Sequence, residues 1–337
     1  MFVVSNRSVG TETINGENLK GCWLPFGATW SVRRGDEYKN IFPVMDWGRV
    51  PGVTSPHMTT AFAEDITQPE TFVGGVSDGT CGAAGMIFDQ SQLLPQFSRE
   101  VLRLRGLQQS TQEGHNAWFF FDREMMALGA GINSARDDRT GTTLNQTLLR
   151  GPVLIDGHAV ETGESKVPPG SGVLHDGVGY TFLEPAAASL KAGPQTGDWQ
   201  SICAGDSDAP VTEQVFSLWI DHGSRLHDTH YAYAVLPGIS APQLAEWVAR
   251  PPVRVIVNTP SQQAVIHDYD ITNSRRNSHI PATTSITLKR GQEIKPGAPE
   301  IEHELRDSDL EVAGGLAGER HITVIRTSAS DNCPTPA

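Results

Sequence analysis

Residues 12–21 read Glu-Thr-Ile-Asn-Gly-Glu-Asn-Leu-Lys-Gly, bringing two carboxylates, two amides and an ammonium into ten positions. Amides donate and accept, and carboxylates accept, so Glu12, Asn15 and Asn18 make a set suited to the hydroxyls of a sugar. Asn15-Gly16 tolerates positive φ at both positions. The same stretch therefore also reads as a plain hairpin turn, with Glu17 and Asn18 bonding the turn's own amides. Gly75-Val76-Ser77-Asp78-Gly79 has the spacing of a nucleophile elbow. That device needs a buried strand turning into a helix of a parallel sheet. Gly82 and Gly85 follow, and helices do not alternate with strands along the chain, so Ser77-Asp78-Gly79 reads better as a β-turn. His175, His222, His227 and His230 supply imidazoles, with Asp228 between the last two. No helix holds them at ligand spacing, and a polar loop without metal is expected. His222 follows an apolar run and is expected to be hydrogen-bonded at a strand end rather than catalytic.

Strands must position these groups. Glycine (34) and proline (22) are spread through 337 residues, which suits many short strands and argues against long helices. Trp23, Phe26, Trp30, Phe42 and Trp47 are expected as core anchors, with a sugar-stacking platform the alternative for the tryptophans. Residues 117–132 read as a hairpin turning at Asp122-Arg123-Glu124, and their consecutive aromatics predict strands covered on both faces. Residues 142–148 and 153–155 add strands, and 173–183 form a hairpin turning at Asp176-Gly177. The one convincing helix is 240–249, where Leu244, Trp247 and Val248 recur at i, i+3 and i+4 before Pro251-Pro252. A domain boundary is placed there, giving 1–250, a smaller β domain over 251–327, and a disordered tail over 328–337. Asn6-Arg7-Ser8 and Asn145-Gln146-Thr147 have the spacing of glycosylation sequons.

The net charge of −13 argues against nucleic acid as a partner, because a phosphate backbone needs a basic face. For an acidic sugar, Arg33, Arg34, Lys39 and Arg49 would have to form a local basic strip, or a further part of the protein would supply one. The four cysteines, Cys22, Cys81, Cys203 and Cys333, are far apart and form no Cys-x-x-Cys pair, so buried free thiols are expected. No apolar run is long enough to cross a membrane as a helix. Residues 1–5 read as the middle of a strand, as though the chain began inside a larger protein.

Several irregular loops then match one family in order: residues 33–38 (Arg-Arg-Gly-Asp-Glu-Tyr), 40–47 (Asn-Ile-Phe-Pro-Val-Met-Asp-Trp), 50–54, 72–79, 117–122, 215–223 and 231–238. Together they resemble the central β domain of polysaccharide lyase family eight, the bacterial hyaluronate, chondroitin AC and xanthan lyases, over roughly residues 5 to 265. The resemblance implies a mainly β fold. It would be a large antiparallel β-supersandwich of the galactose mutarotase-like kind, followed by a smaller C-terminal β-sandwich.

It also implies β-elimination at a uronic acid, without a cofactor. A base removes the C5 proton, the carboxylate charge is neutralised, and the C4 oxygen leaves after protonation. In that family an N-terminal helical toroid carries the tyrosine, histidine, asparagine and arginines that do this. The five tyrosines here, Tyr38, Tyr180, Tyr231, Tyr233 and Tyr269, sit in β-type sequence and match no catalytic motif. Glu12 matches an acidic residue that orients the toroid's histidine and arginine, Asn15 matches a substrate-contacting amide, and Asn18 stands beside them. The resemblance thus implies the β half of a lyase, inactive alone, with an acidic polysaccharide and the toroid as partners and a secreted or periplasmic location. A non-catalytic carbohydrate-binding β-sandwich and a mutarotase- or epimerase-like enzyme are the alternatives.

Overall fold

The computed structural model describes residues 2–6, 17–57, 72–77, 81–90, 112–121, 123–273, 278–292, 305–307 and 319–327, with side chains described from 17 to 267. Its largest element is a nine-stranded antiparallel sheet. In spatial order the strands are His158–Ala159, Val153–Ile155, Gly172–His175, Val178–Phe182, Thr229–Pro237, Met125–Ser134, Gln112–Phe120, Gly82–Asp89 and Val73–Ser77. A five-stranded antiparallel sheet, in the order Gly163–Val167, Ala188–Gly197, Val211–Gly223, Thr140–Leu148 and Thr54–Pro56, packs against one face of it.

Side-chain alternation builds the layers. Along Gln112–Phe120, Trp118 points into the core shared with Phe216, Leu218 and Leu190 of the five-stranded sheet. Its neighbours Ala117 and Phe119 point the other way, into a second core with Met126, Leu128, Val253 and Val265. The consecutive aromatics are therefore buried on both faces, as expected. The turn joining them to Met125–Ser134 closes with the Phe121 N–H on the Glu124 carbonyl at 2.9 Å. Asp176 (φ 48°) and Gly177 (φ 68°) make the expected two-residue turn between Gly172–His175 and Val178–Phe182.

The expected helix is found as Ala241–Ala249, the one α-helix among the described residues. Gln243 Oε1 accepts from the Ser240 N–H (3.0 Å) and hydroxyl (2.6 Å) at its start. It lies on the 172–182 hairpin, where Gly172 and Gly179 leave room for Leu244. Phe2–Asn6 pairs antiparallel with Phe26–Ser31 in a two-stranded sheet, and Val253–Asn258, Gln262–Asn273, Ser278–Gln292, Glu319–Thr327 and Leu305–Asp307 form a separate five-stranded sheet. Its Ser278–Gln292/Glu319–Thr327 pair is parallel, a departure from otherwise antiparallel pairing.

Several sequence expectations change. Phe42 is not a core anchor: its side chain is 36% exposed, and Trp30 and Trp47 are only partly buried against the core that holds Trp23 and Phe26. Tyr38 lies in a turn rather than in a strand. Asn145 of the second sequon is 3% exposed and donates to the Tyr180 hydroxyl at 2.7 Å, so it cannot present its amide for glycosylation. Cys22 and Cys81 are buried thiols in no disulfide, Cys203 is half-buried, and Cys333 lies outside the described residues, as does the tail 328–337.

Candidate functional site

Of the three residues singled out for sugar binding, Glu12 and Asn15 lie outside the described residues and Asn18 lies within them. Asn18 is half-buried, and its Oδ1 accepts the Lys20 N–H at 3.2 Å, a turn bond of the kind expected of an asparagine there. The segment is then anchored across the fold. The Leu19 N–H donates to the Ile202 carbonyl at 2.7 Å, and Lys20 Nζ donates to Ser201 Oγ at 2.9 Å. Ser201 is itself fixed: its N–H donates to Asp198 Oδ1 (2.6 Å) and its hydroxyl to the Asp198 carbonyl (2.8 Å). Residues 18–20 are thus sewn onto the loop that links Ala188–Gly197 to Val211–Gly223.

A third segment joins them. Gly197 ends its strand directly against the Phe42–Val44 turn, so closely that a Cβ there would lie 1.9 Å from the Pro43 carbonyl oxygen. Beyond Pro43, the Trp47 Nε1–H donates to the Phe42 carbonyl at 3.1 Å, and the two rings sit 6.0 Å apart at 32°. Buried Gln146 holds this turn from beneath. It accepts the Asp46 N–H (2.8 Å) and donates to the Asp46 (3.0 Å) and Arg49 (2.8 Å) carbonyls. The result is a connected wall, in which amide, ammonium and hydroxyl groups lie on a loop that abuts the turn carrying exposed Phe42 and half-buried Trp47.

The three arginines of the expected basic strip are engaged within the fold, while Lys39 is exposed. Arg34 pairs with Asp176 and reaches Asp36 at 3.5 Å, Arg49 pairs with Asp46 (3.4 Å) and stacks 3.6 Å over Trp219, and Arg33 donates to the Asp176 carbonyl. Arg150 adds a bond to Asp36 at 2.7 Å, and that bond is the main cause holding the Asp36 carboxyl below its ordinary range. These arginines tie the 33–38 loop to the Asp176-Gly177 turn. At that loop's centre, burial pushes the Glu37 carboxyl up, but backbone N–H groups, among them those of Arg33, Arg34 and Gly35, outweigh it and bring the pKa to about 2.

Four tyrosines and two buried histidines are shifted away from neutral pH. Burial raises the phenols of Tyr38, Tyr180, Tyr231 and Tyr233. Tyr38 donates to Asn145 at 2.9 Å, and Asn145 in turn donates to Tyr180. Burial likewise lowers His175 and His222 to about 4. Neutral His175 accepts the Arg150 N–H at 3.0 Å, and His222 meets Thr142 Oγ1 at 2.7 Å near the end of Val211–Gly223, the strand-end hydrogen bond expected for it. Ser77 is no elbow nucleophile: it ends an antiparallel strand and donates to the Cys81 carbonyl at 2.9 Å.

Residues 1–247 match the model of polysaccharide lyase family 8, super-sandwich domain. This chain belongs to that family. It is 38% identical over 276 residues to a chondroitinase-AC of Pedobacter heparinus, covering 79% of this chain and 36% of that protein. A hyaluronate lyase of Thermasporomyces composti (29%; 78% and 34% covered) and a xanthan lyase of a Bacillus species (29%; 79% and 28%) are also similar. A structure of chondroitinase AC lyase studied in oligosaccharide complexes superposes with a TM-score of 0.69 at 37% identity, over 79% of this chain and 38% of the other. Paenibacillus xanthan lyase shares the fold, with a TM-score of 0.67 at 23% identity, over 82% and 28%. The chain spans about a third of the length of these relatives.

Sequence reading missed the wall's other half. Ser201 and Asp198 carry no motif, and only the fold brings them to Lys20.

Proposed function

We propose that this chain is the β half of a polysaccharide lyase that cleaves a uronic-acid-containing polymer by β-elimination, and that it forms one wall of the substrate cleft. The observation that carries the reading is the wall itself. Asn18 and Lys20, fixed on Ser201 beside the Phe42/Trp47 ledge, continue directly from the Glu12/Asn15 stretch in a family-8 chain. Polar groups that exchange hydrogen bonds with hydroxyls, set next to exposed aromatic faces, are what a sugar-polymer cleft needs. Asn15 and Asn18 would hold the sugar. The Glu12 carboxylate would act as a positioning residue, orienting a histidine of a helical toroid and stabilising positive charge on it.

Burial raises the phenols of Tyr38, Tyr180, Tyr231 and Tyr233, and by the family resemblance the toroid would supply the base. The protein would work where such polymers are found, outside the cell or in the periplasm. Asn15→Ala in the chain joined to its toroid tests the reading. We expect kcat per folded molecule to fall roughly 10- to 1000-fold, the scale of a lost oriented donor. Full specific activity with only a lowered melting temperature would reduce the stretch to scaffold.

A further inference from the structure

Most cationic side chains among the described residues are engaged within the fold. Four enter no ion pair or side-chain hydrogen bond with another described residue: Lys39, Arg123, Lys191 and Arg250. Two of these share a site. Arg123, at the tip of the hairpin that joins Gln112–Phe120 to Met125–Ser134, and Arg250, just past the end of the helix Ala241–Ala249, line one cavity of about 340 Å³. Both are exposed. None of the wall residues around Asn18, Lys20 and Phe42 lines this cavity.

The surface between the two arginines is apolar and open. Pro237, Ile239 and Trp247 line the cavity, and each is only half-buried. The volume falls within the range of roughly 300 to 1,000 Å³ usual for small-ligand sites. Two carboxylates share the lining, and they differ. Glu124 is buried with its Oε1 2.5 Å from His267 Nε2, so its charge is directed into the fold. Glu246 is exposed and stands one helical turn before Arg250, yet it forms no ion pair among the described residues. Two unpaired guanidiniums therefore outweigh one unpaired carboxylate, and the cavity favours an anion. A guanidinium presents a planar fork that fits a carboxylate or a sulfate ester, while apolar side chains cover the C–H face of a pyranose.

We propose that this cavity is an exosite for an anionic sugar, apart from the cleft wall, in which Arg123 and Arg250 clamp the carboxylate or sulfate of one ring of an acidic polysaccharide. The proposal rests on the reading of the chain as acting on such a polymer, and names where a second stretch of it is held. It uses neither Asn18 nor the Glu12/Asn15 stretch.

Calorimetric titration of the whole chain at low ionic strength with a hyaluronan hexasaccharide, a sulfated chondroitin hexasaccharide and chitohexaose tests it. The first two separate carboxylate from sulfate, and the third carries no anionic group. At least one acidic hexasaccharide is expected to bind, and chitohexaose to bind at least about tenfold more weakly. For that acidic ligand, Kd should rise at least about threefold in Arg123→Gln and in Arg250→Gln and at least about tenfold in the double variant, and should fall about twofold in Glu246→Gln. All three side chains are exposed, so melting temperatures should stay near that of the unaltered chain. Should the double variant fail to fold, the single ones decide. No binding of either acidic hexasaccharide, chitohexaose bound as tightly, a Kd unchanged in the arginine variants, or a Kd that rises in Glu246→Gln would overturn the exosite. Each of these results leaves the cleft wall standing, because failure of that reading is seen separately, as full activity of Asn15→Ala in the joined enzyme.

Discussion

At the scale of single residues, charge and burial give two expectations. Glu12→Gln in the complete enzyme keeps the shape of the side chain but removes a charge beside the proposed histidine. That histidine loses a stabilising neighbour, its pKa falls, and the acid limb of the kcat/KM profile should move to lower pH with little change in binding. A pH profile that does not move would argue against the positioning role. The second expectation concerns stability. His175 and His222 titrate near 4 in the fold against about 6.5 in the unfolded chain, because burial disfavours their charged forms. Between these values the unfolded chain binds more protons, so the stability is complete above about pH 6.5 and is lost as pH falls toward 4. The ceiling is about 3 kcal/mol per histidine. Asp221 faces His222 and Asp176 faces His175, both favouring the charged form, while His230 and Arg34 oppose it. Glu37 adds a further loss only below its ordinary range, toward pH 2. Denaturant melts at pH 7, 5.5 and 4 should show a falling midpoint, and His222→Gln should flatten part of the slope.

At the scale of elements, the wall depends on close backbone approach. Gly197→Ala places a methyl 1.9 Å from the Pro43 carbonyl oxygen, so either the strand end or the Phe42–Val44 turn must move. Overpacking of this kind typically costs about 1 to 3 kcal/mol. We expect a lower melting temperature together with a change in Trp47 fluorescence, whereas an unchanged spectrum would show that the ledge is not held by this contact. The hairpins and the helix were legible in the sequence because their signals are local: Asp176-Gly177 at positive φ, alternating faces along residues 117–121, and the i, i+3, i+4 apolar spacing of Leu244, Trp247 and Val248. What the sequence hid depends on distant partners. Lys20 meets Ser201 across 181 positions, Tyr38 meets Asn145 across 107, and the arginines of the 33–38 loop are taken up by carboxylates that a charge count cannot assign. Phe42 is hidden for the same reason, since a phenylalanine beside Pro43 looks like core until the turn's orientation is known.

At the scale of the whole molecule, three β layers share one central sheet, with the five-stranded sheet on one face and the Val253–Val265 strands on the other. A scaffold buried on both sides suits a rigid wall better than a moving lid. The chain matches about a third of the length of its relatives, and desolvation raises the phenols of Tyr38, Tyr180, Tyr231 and Tyr233. The proposed division of labour therefore predicts that geometry comes from this half and proton transfer from the other. The most direct test is the ultraviolet absorbance of an unsaturated uronate, followed with hyaluronan, chondroitin and xanthan for the purified chain alone and for the chain joined to an upstream helical toroid. The account predicts no absorbance gain from the chain alone and steady turnover on at least one polymer once the two halves are joined. Steady turnover by the purified chain alone would contradict it.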